Sequence, residues 1–204
     1  DEADFGELLD FLNRLVMSLA ALSGFALDDM TRDEGWRFLI IGRRIERLQF
    51  LSASLAAFLR GAGAFDQAGL EWLLELGNSS ITYRSRYLAV AQLIPVLDLL
   101  LLDEQNPHAV LFQLKLVTRT LKRLNDDFGV PREAGLPPLV DRLACFDLGS
   151  LENSLLGESS VRAAINGLAD LLQEIADISG QMSDRLALRH FAHVDDVSQR
   201  TVSV

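Results

Sequence analysis

The sequence predicts an all-α fold, a helical bundle of about six to seven helices. Two observations carry that prediction. Apolar residues recur at the three- and four-residue spacing of an amphipathic helix almost throughout, and no segment keeps the two-residue alternation of a strand. Breakers are also few, with five prolines in 204 residues. With 49 % hydrophobic residues the chain is long enough to bury a sizeable core. Residues 1–192 read as one bundle domain and 193–204 as a polar, frayed tail.

The first helix is expected over residues 3–24, with Leu8, Leu12, Leu15, Leu19 and Leu22 along one stripe and Gly24 at its end. Thr31 followed by Glu34 has the spacing of a capping box and opens a second helix, which runs to about Leu59 and stops at GAGAF. A third runs from about Asp66 to Leu93 and is broken by Pro95. Asn106 with Pro107 reads as an N-cap and first-turn pair that opens a helix to about Phe128. After the loop GVPREAGLPP come a helix near 137–155 and a long one over about 159–191.

Composition narrows the function classes. A net charge of −10 argues against nucleic acid and against an anionic membrane surface, because both need clustered Lys and Arg. The single cysteine, Cys145, excludes an internal disulfide and fits a reducing, cytoplasmic compartment. No run of about 18 uncharged apolar residues is present, so no membrane-spanning helix is expected. The start, DEADFGELL, has no basic n-region, so no signal peptide is expected either, and it reads as a piece of a longer polypeptide. All but two of the 19 basic residues are arginine. A GC-rich genome would explain this, and so would arginines held in planar, bidentate pairs.

The second helix contains GWRFLIIGRRIERLQF, residues 35–50, in which Arg37, Arg43, Arg44, Glu46 and Arg47 interrupt an apolar run. At 100° per residue, Phe38, Ile41, Ile45, Leu48, Leu55 and Leu59 form one apolar stripe. Trp36, Ile40, Phe50, Leu51 and Phe58 lie opposite. A third strip of Gly35, Gly42, Glu46, Gln49 and Ala53 is small enough for a neighbouring helix or a ligand to approach. Apolar on nearly all sides, this helix reads as central, and its charges are then expected to be partly desolvated and paired. Glu46 is the expected counter-charge. Two readings stay open: an internal ion-pair network that fixes helix register, or an arginine-lined site for a carboxylate, a phosphate or a peptide C-terminus.

A second polar cluster lies in LGNSSITYRSRYL, residues 76–88. Ser80, Tyr83, Arg84 and Tyr87 share one helical face, and Ser79, Tyr83 and Arg86 the next one round. Such hydroxyls and guanidiniums host oxyanions, and they serve equally well to satisfy Glu46 or backbone carbonyls. Asp98 and Asp103 are natural partners for these arginines. No catalytic template is met. His108, His190 and His193 are too scattered for a zinc set, and no Gly-rich phosphate loop, GxSxG elbow or Glu-x-x-His pattern occurs. No catalytic residue, metal or cofactor is therefore assigned.

Three blocks, MTRDEGWRFLIIGRRIER (30–47), SSITYRSRYL (79–88) and PVLDLLLLDEQNPHAVLFQL (95–114), together resemble the bacterial alpha-E domain family, a helical family named for its ER motif. They cover about a quarter of the chain. His108 stands where the family more usually carries arginine, which weakens an anion-binding role at that position. Members typically carry two GR…ER segments. This chain has one and resembles the C-terminal half, so it is expected to be truncated at its N-terminus.

The resemblance implies association with circularly permuted ATP-grasp ligases, with transglutaminase-like proteases as further partners. It implies a role in peptide- or amide-bond formation without implying that the helical domain performs the chemistry. Three readings follow from the residues and the resemblance together. One is a non-catalytic scaffold or substrate-binding partner of an ATP-grasp ligase. Another is an enzyme component whose arginines, Tyr83 and Glu46 bind an acidic metabolite or acyl-phosphate. The third is a homo-oligomerisation bundle.

Overall fold

A computed structural model describes residues 2–61, 65–87, 90–129, 135–151 and 158–190. Those residues form α1 (Glu2–Asp28), α2 (Glu34–Arg60), α3 (Gln67–Leu76), α4 (Ser80–Tyr87), α5 (Leu93–Leu97), α6 (Val110–Phe128), α7 (Leu136–Ala144) and α8 (Glu158–His190). A π-helical turn, Asp98–Leu102, continues α5, and a 3-10 turn, Leu148–Leu151, follows α7. The described residues contain no strand, and the fold is all-α. The expected tail, 193–204, and residues 130–134 of the expected loop at 129–138 lie outside the described residues. The chain divides into two units, residues 1–40 and 41–204.

In the first unit, α1 runs on past Gly24 to Asp28, because helical glycine is tolerated and a Cβ there would meet nothing. The corner after it is tied by side chains. Trp36 donates from Nε1 to the Ala26 carbonyl at 2.7 Å. Arg32 donates to the Ala26 carbonyl at 3.3 Å and to that of Leu27, with its guanidinium 4.3 Å from the centre of the Trp36 ring. These donors satisfy carbonyls that the last turn of a helix leaves without partners. The expected Thr31–Glu34 box does not form. Asp33, immediately before α2, accepts from the Trp36 amide at 3.0 Å and caps the helix instead.

In the second unit, Ile41, Ile45, Leu48, Leu55 and Leu59 of α2 are each at most 2 % exposed, as the wheel predicts. The reverse side of α2 bears out the expectation in part: Leu51 and Phe58 are buried, whereas Phe50 is exposed together with Glu46, Arg47 and Gln49, so α2 is not enclosed on all sides. α2 meets α8 through Arg60, which pairs with Asp170 at 2.8 Å and donates to Gln173 at 3.3 Å. Gly180 of α8 lies under the end of the exposed Gln49 side chain, whose Nε2 would be 2.9 Å from a Cβ there, while Gly42 of α2 faces open space.

The long helix expected at 66–93 is two helices. Asp66 caps α3, accepting from the Gly69 amide at 2.8 Å. The chain then breaks at Gly77 and Asn78, the latter at φ 47°. A Cβ on Gly77 would lie 2.6 Å from Leu100 Cδ2, so the break also serves close packing. Pro95 does not end a helix. It is the third residue of α5, where its missing N–H would have had no partner. Leu97, Leu99, Leu100 and Leu101 that follow are at most 1 % exposed and form the centre of the core. Around them lie Val110, Leu114, Val117, Leu121 and Leu124 of α6 and Leu168, Leu172 and Ile175 of α8, all buried at helical spacing.

α6 begins at Val110, behind the Asn106–Pro107 pair expected to open it. Asn106 makes a turn of its own instead, accepting the His108 amide at 3.0 Å. Gly129, at φ 67°, ends α6 in the left-handed conformation.

Candidate functional site

The nine sequence-predicted site residues do not converge on one pocket. Arg37 is half-buried on the first-unit part of α2. Arg43 and Arg44 are half-buried in the second unit, whereas Glu46 and Arg47 are exposed. No ion pair joins Glu46 to another described residue, which corrects its expected role as the counter-charge of buried arginines. The physical reason is its angular position. The buried arc of α2 is centred on Ile41, Ile45 and Leu48, and Glu46 projects well to one side of it.

Arg44 and Arg47 of α2 form a strip with His108. Arg44 donates to Thr120 Oγ1 on α6 at 3.3 Å, and its pKa is lowered by burial and by the neighbouring Arg47. Arg47 also acts on His108, whose pKa is lowered first by burial and then by that guanidinium. Asn78 Nδ2 lies 3.5 Å from His108 Nε2, which suits a neutral ring with Nε2 accepting. The strip thus joins α2, the α3–α4 turn and the approach to α6. Its character is cationic, although the chain as a whole carries a net charge of −10.

Ser80, Tyr83 and Arg84 do meet, as their shared face predicts, in a small cleft of about 30 Å³ with Glu71, Leu74, Glu75 and Ala91. Two carboxylates make this cleft unsuited to an anion. Tyr83 is 2 % exposed, and its hydroxyl is already used: it donates to the Val90 carbonyl at 3.3 Å and accepts from the Gln92 amide at 3.1 Å. Tyr83 is therefore an anchor for the segment entering α5. Tyr87 lies outside the cleft, its ring 4.8 Å from that of Tyr83. Burial and then Asp98 push its pKa up. Asp103 pairs with Arg86, the partnership foreseen for this aspartate.

Two features were not foreseen. One is a buried polar tether. Asn106, 3 % exposed, donates to Ser79 Oγ at 3.1 Å and to the Leu99 carbonyl at 2.9 Å, while Ser79 donates to the Gly77 carbonyl at 3.0 Å. The other is an open groove of about 430 Å³ lined by Glu104, Lys115, Thr118, Arg119, Pro137, Val140 and Asp141, with Lys115 and Glu104 paired at 2.6 Å. Neither is announced by a motif, since each depends on segments brought together by the fold. Among the described residues, no three His, Cys, Asp or Glu side chains stand together as a metal would require.

Comparison with known families places the exposed Glu46–Arg47 pair in context. A family described as a predicted alpha-helical domain with a conserved ER motif, Alpha-E, matches residues 2–191. The chain belongs to the Alpha-E family. Its relatives include uncharacterized proteins of Mycobacterium bovis and of two strains of Mycobacterium tuberculosis. Each is 37 % identical to this Alpha-E chain over 116 residues, 56 % of the chain. The match spans only 13 % of each relative's length. No solved structure matches the chain.

Proposed function

We propose that this Alpha-E chain is a non-catalytic helical module of an ATP-grasp peptide or amide ligase system, serving it as a scaffold or substrate-binding partner. The observation that carries the reading is the dispersal of its reactive-looking side chains. Tyr83 anchors a loop, Arg86 is taken by Asp103, and the exposed Glu46–Arg47 pair faces outward, where it suits recognition of a partner. The ligase partnership itself comes from the family resemblance. Titration of the chain with a purified ATP-grasp ligase domain tests it by calorimetry and by ATP turnover. Complex formation weakened by Glu46→Ala or Arg47→Ala supports the reading, and no complex with unchanged turnover overturns it.

The cationic strip favours a second reading, in which Arg44, Arg47 and His108 seat the carboxylate or phosphate of a substrate. No Glu46 contact neutralises Arg47 among the described residues, and its charge acts on both neighbours. Titration with inorganic phosphate or a C-terminal peptide carboxylate tests it. Perturbation confined to His108 and its surroundings, lost in Arg47→Gln, is the expected result. Absence of any saturable shift overturns this reading.

A further inference from the structure

From the groove between α6 and α7 we infer that this chain binds a short zwitterionic peptide, two or three residues long, with both termini free. The groove holds about 430 Å³, within the roughly 300–1,000 Å³ of small-molecule sites. Its walls carry two cations, Lys115 and Arg119, and two carboxylates, Glu104 and Asp141. In a chain of net charge −10 this groove is locally neutral, which suits a ligand bearing both signs better than a simple anion or cation. Half of its charge is already matched within the chain. Lys115, whose side chain is 26 % exposed, pairs with Glu104 at 2.6 Å.

Arg119 and Asp141 are the pair left over. They line the same groove from different helices, yet no ion pair joins either one to another described residue. Elsewhere opposite charges on neighbouring elements close up, as Arg60–Asp170, Arg86–Asp103 and Arg142–Glu174 do. Arg119 donates from Nε to the Lys115 carbonyl at 3.2 Å, so its two terminal nitrogens remain as donors toward the groove. A guanidinium so placed takes a carboxylate through charge-assisted hydrogen bonds. The Asp141 carboxylate is the matching acceptor for an ammonium group. Packed helices stand about 8–10 Å apart, a gap spanned by two or three extended residues at ~3.3–3.6 Å each. A single amino acid holds its two charges too close together to reach both. Pro137 and Val140, three positions apart on α7, supply an apolar wall for a ligand side chain. The Thr118 hydroxyl donates to the Leu114 carbonyl at 2.8 Å and can still accept from a ligand N–H.

The site requires no ligase partner, so its failure leaves the module reading untouched. By length and composition Phe5–Asp28 of α1 is apolar enough to cross a bilayer, contrary to the expectation from uncharged runs. The whole chain is therefore titrated in a mild non-ionic detergent. Calorimetry uses the tripeptide Ala-Val-Ala with free termini, its N-acetyl form, its C-terminal amide and the form blocked at both ends. The free peptide should bind saturably, and each single block should weaken it about tenfold or more, as a lost hydrogen bond between charged groups does. In Arg119→Gln the amide should bind as tightly as the free peptide, while the N-acetyl form stays weaker. Asp141→Asn should show the reverse. Both side chains are exposed, so the variants should fold, and circular dichroism checks it. Arg60→Gln, outside the groove lining, should leave all four affinities unchanged. No saturable binding of the free peptide at millimolar concentration overturns the inference. So does discrimination that persists in both groove variants, or equal weakening by Arg60→Gln. Binding of the doubly blocked peptide as tight as that of the free one also overturns it, and would make the groove a dock for an internal protein segment.

Discussion

Asn106 Nδ2 lies 3.1 Å from Ser79 Oγ, and this buried contact joins the α3–α4 turn to the approach to α6 across 27 positions of sequence. The second amide hydrogen goes to the Leu99 carbonyl, and the amide oxygen accepts the His108 N–H. One side chain thus holds three segments in register around the leucine core. Its donors and acceptor are all engaged with protein, so it stands 3 % exposed without an unsatisfied polar atom.

Replacing Asn106 with alanine is expected to lower unfolding free energy by about 2–3 kcal/mol, because the Leu99 carbonyl and Ser79 hydroxyl lose a buried partner. Asn106→Asp should do no better, since a carboxylate cannot donate to either. Urea denaturation of the three proteins checks both values. If Asn106→Ala is within about 0.5 kcal/mol of wild type, the tether has no structural weight.

Gly77→Ala should destabilise by about 1–3 kcal/mol, because the new methyl overlaps Leu100, which is 1 % exposed and has little room to move. The double variant Gly77→Ala/Leu100→Ala should lose less than the sum of the two single changes, as the methyl then enters space vacated by the leucine. Additive losses in thermal unfolding would show that the overlap is not the cause.

At the corner of the first unit, Trp36→Phe keeps a large ring and removes the hydrogen bond to the Ala26 carbonyl. A loss of about 1 kcal/mol is expected, felt locally as faster amide hydrogen exchange at the C-terminal end of α1. Arg32→Met should add to it, since Arg32 serves the carbonyls of Ala26 and Leu27. Unchanged exchange there in both variants would mean that the corner is held by something else.

His108 gives a pH prediction with a definite sign. Its pKa in the folded chain is below the ordinary 6.5, so between the two values the unfolded chain binds a proton that the folded chain does not. Stability therefore falls as pH drops from about 6.5 toward the folded pKa, and the contribution is fully present above 6.5. Arg47→Gln should move the His108 titration upward, read from the imidazole Hε1 resonance in NMR. His108→Gln should flatten the stability difference over the same window. A His108 midpoint at or above 6.5 in the wild-type chain would contradict this account.

The helices were legible because each carries its own periodicity. The Ile41–Ile45–Leu48–Leu55–Leu59 stripe is buried as read, and Asp66, Gly129 and the long last helix fall where their signals place them. Ser80, Tyr83 and Arg84 share a cleft because helical spacing is a local property. The break at Gly77 was not legible, since a glycine inside a helical pattern is often tolerated, and the reason for this one, Leu100, lies 23 positions away. Pro95 misled for a related reason: proline ends a helix or begins one according to the position it occupies.

The sequence by itself determined the all-α class, the register of each apolar stripe and the family, because these follow from residue types at short, fixed spacings. Only the tertiary structure decided what the charges do. It placed Glu46 on the surface, gave Tyr83 to the Val90 carbonyl and the Gln92 amide, and set Arg47 beside His108. The physical reason is that the environment of a polar group depends on which remote backbone and side chains pack against it, and no spacing within one helix encodes those neighbours.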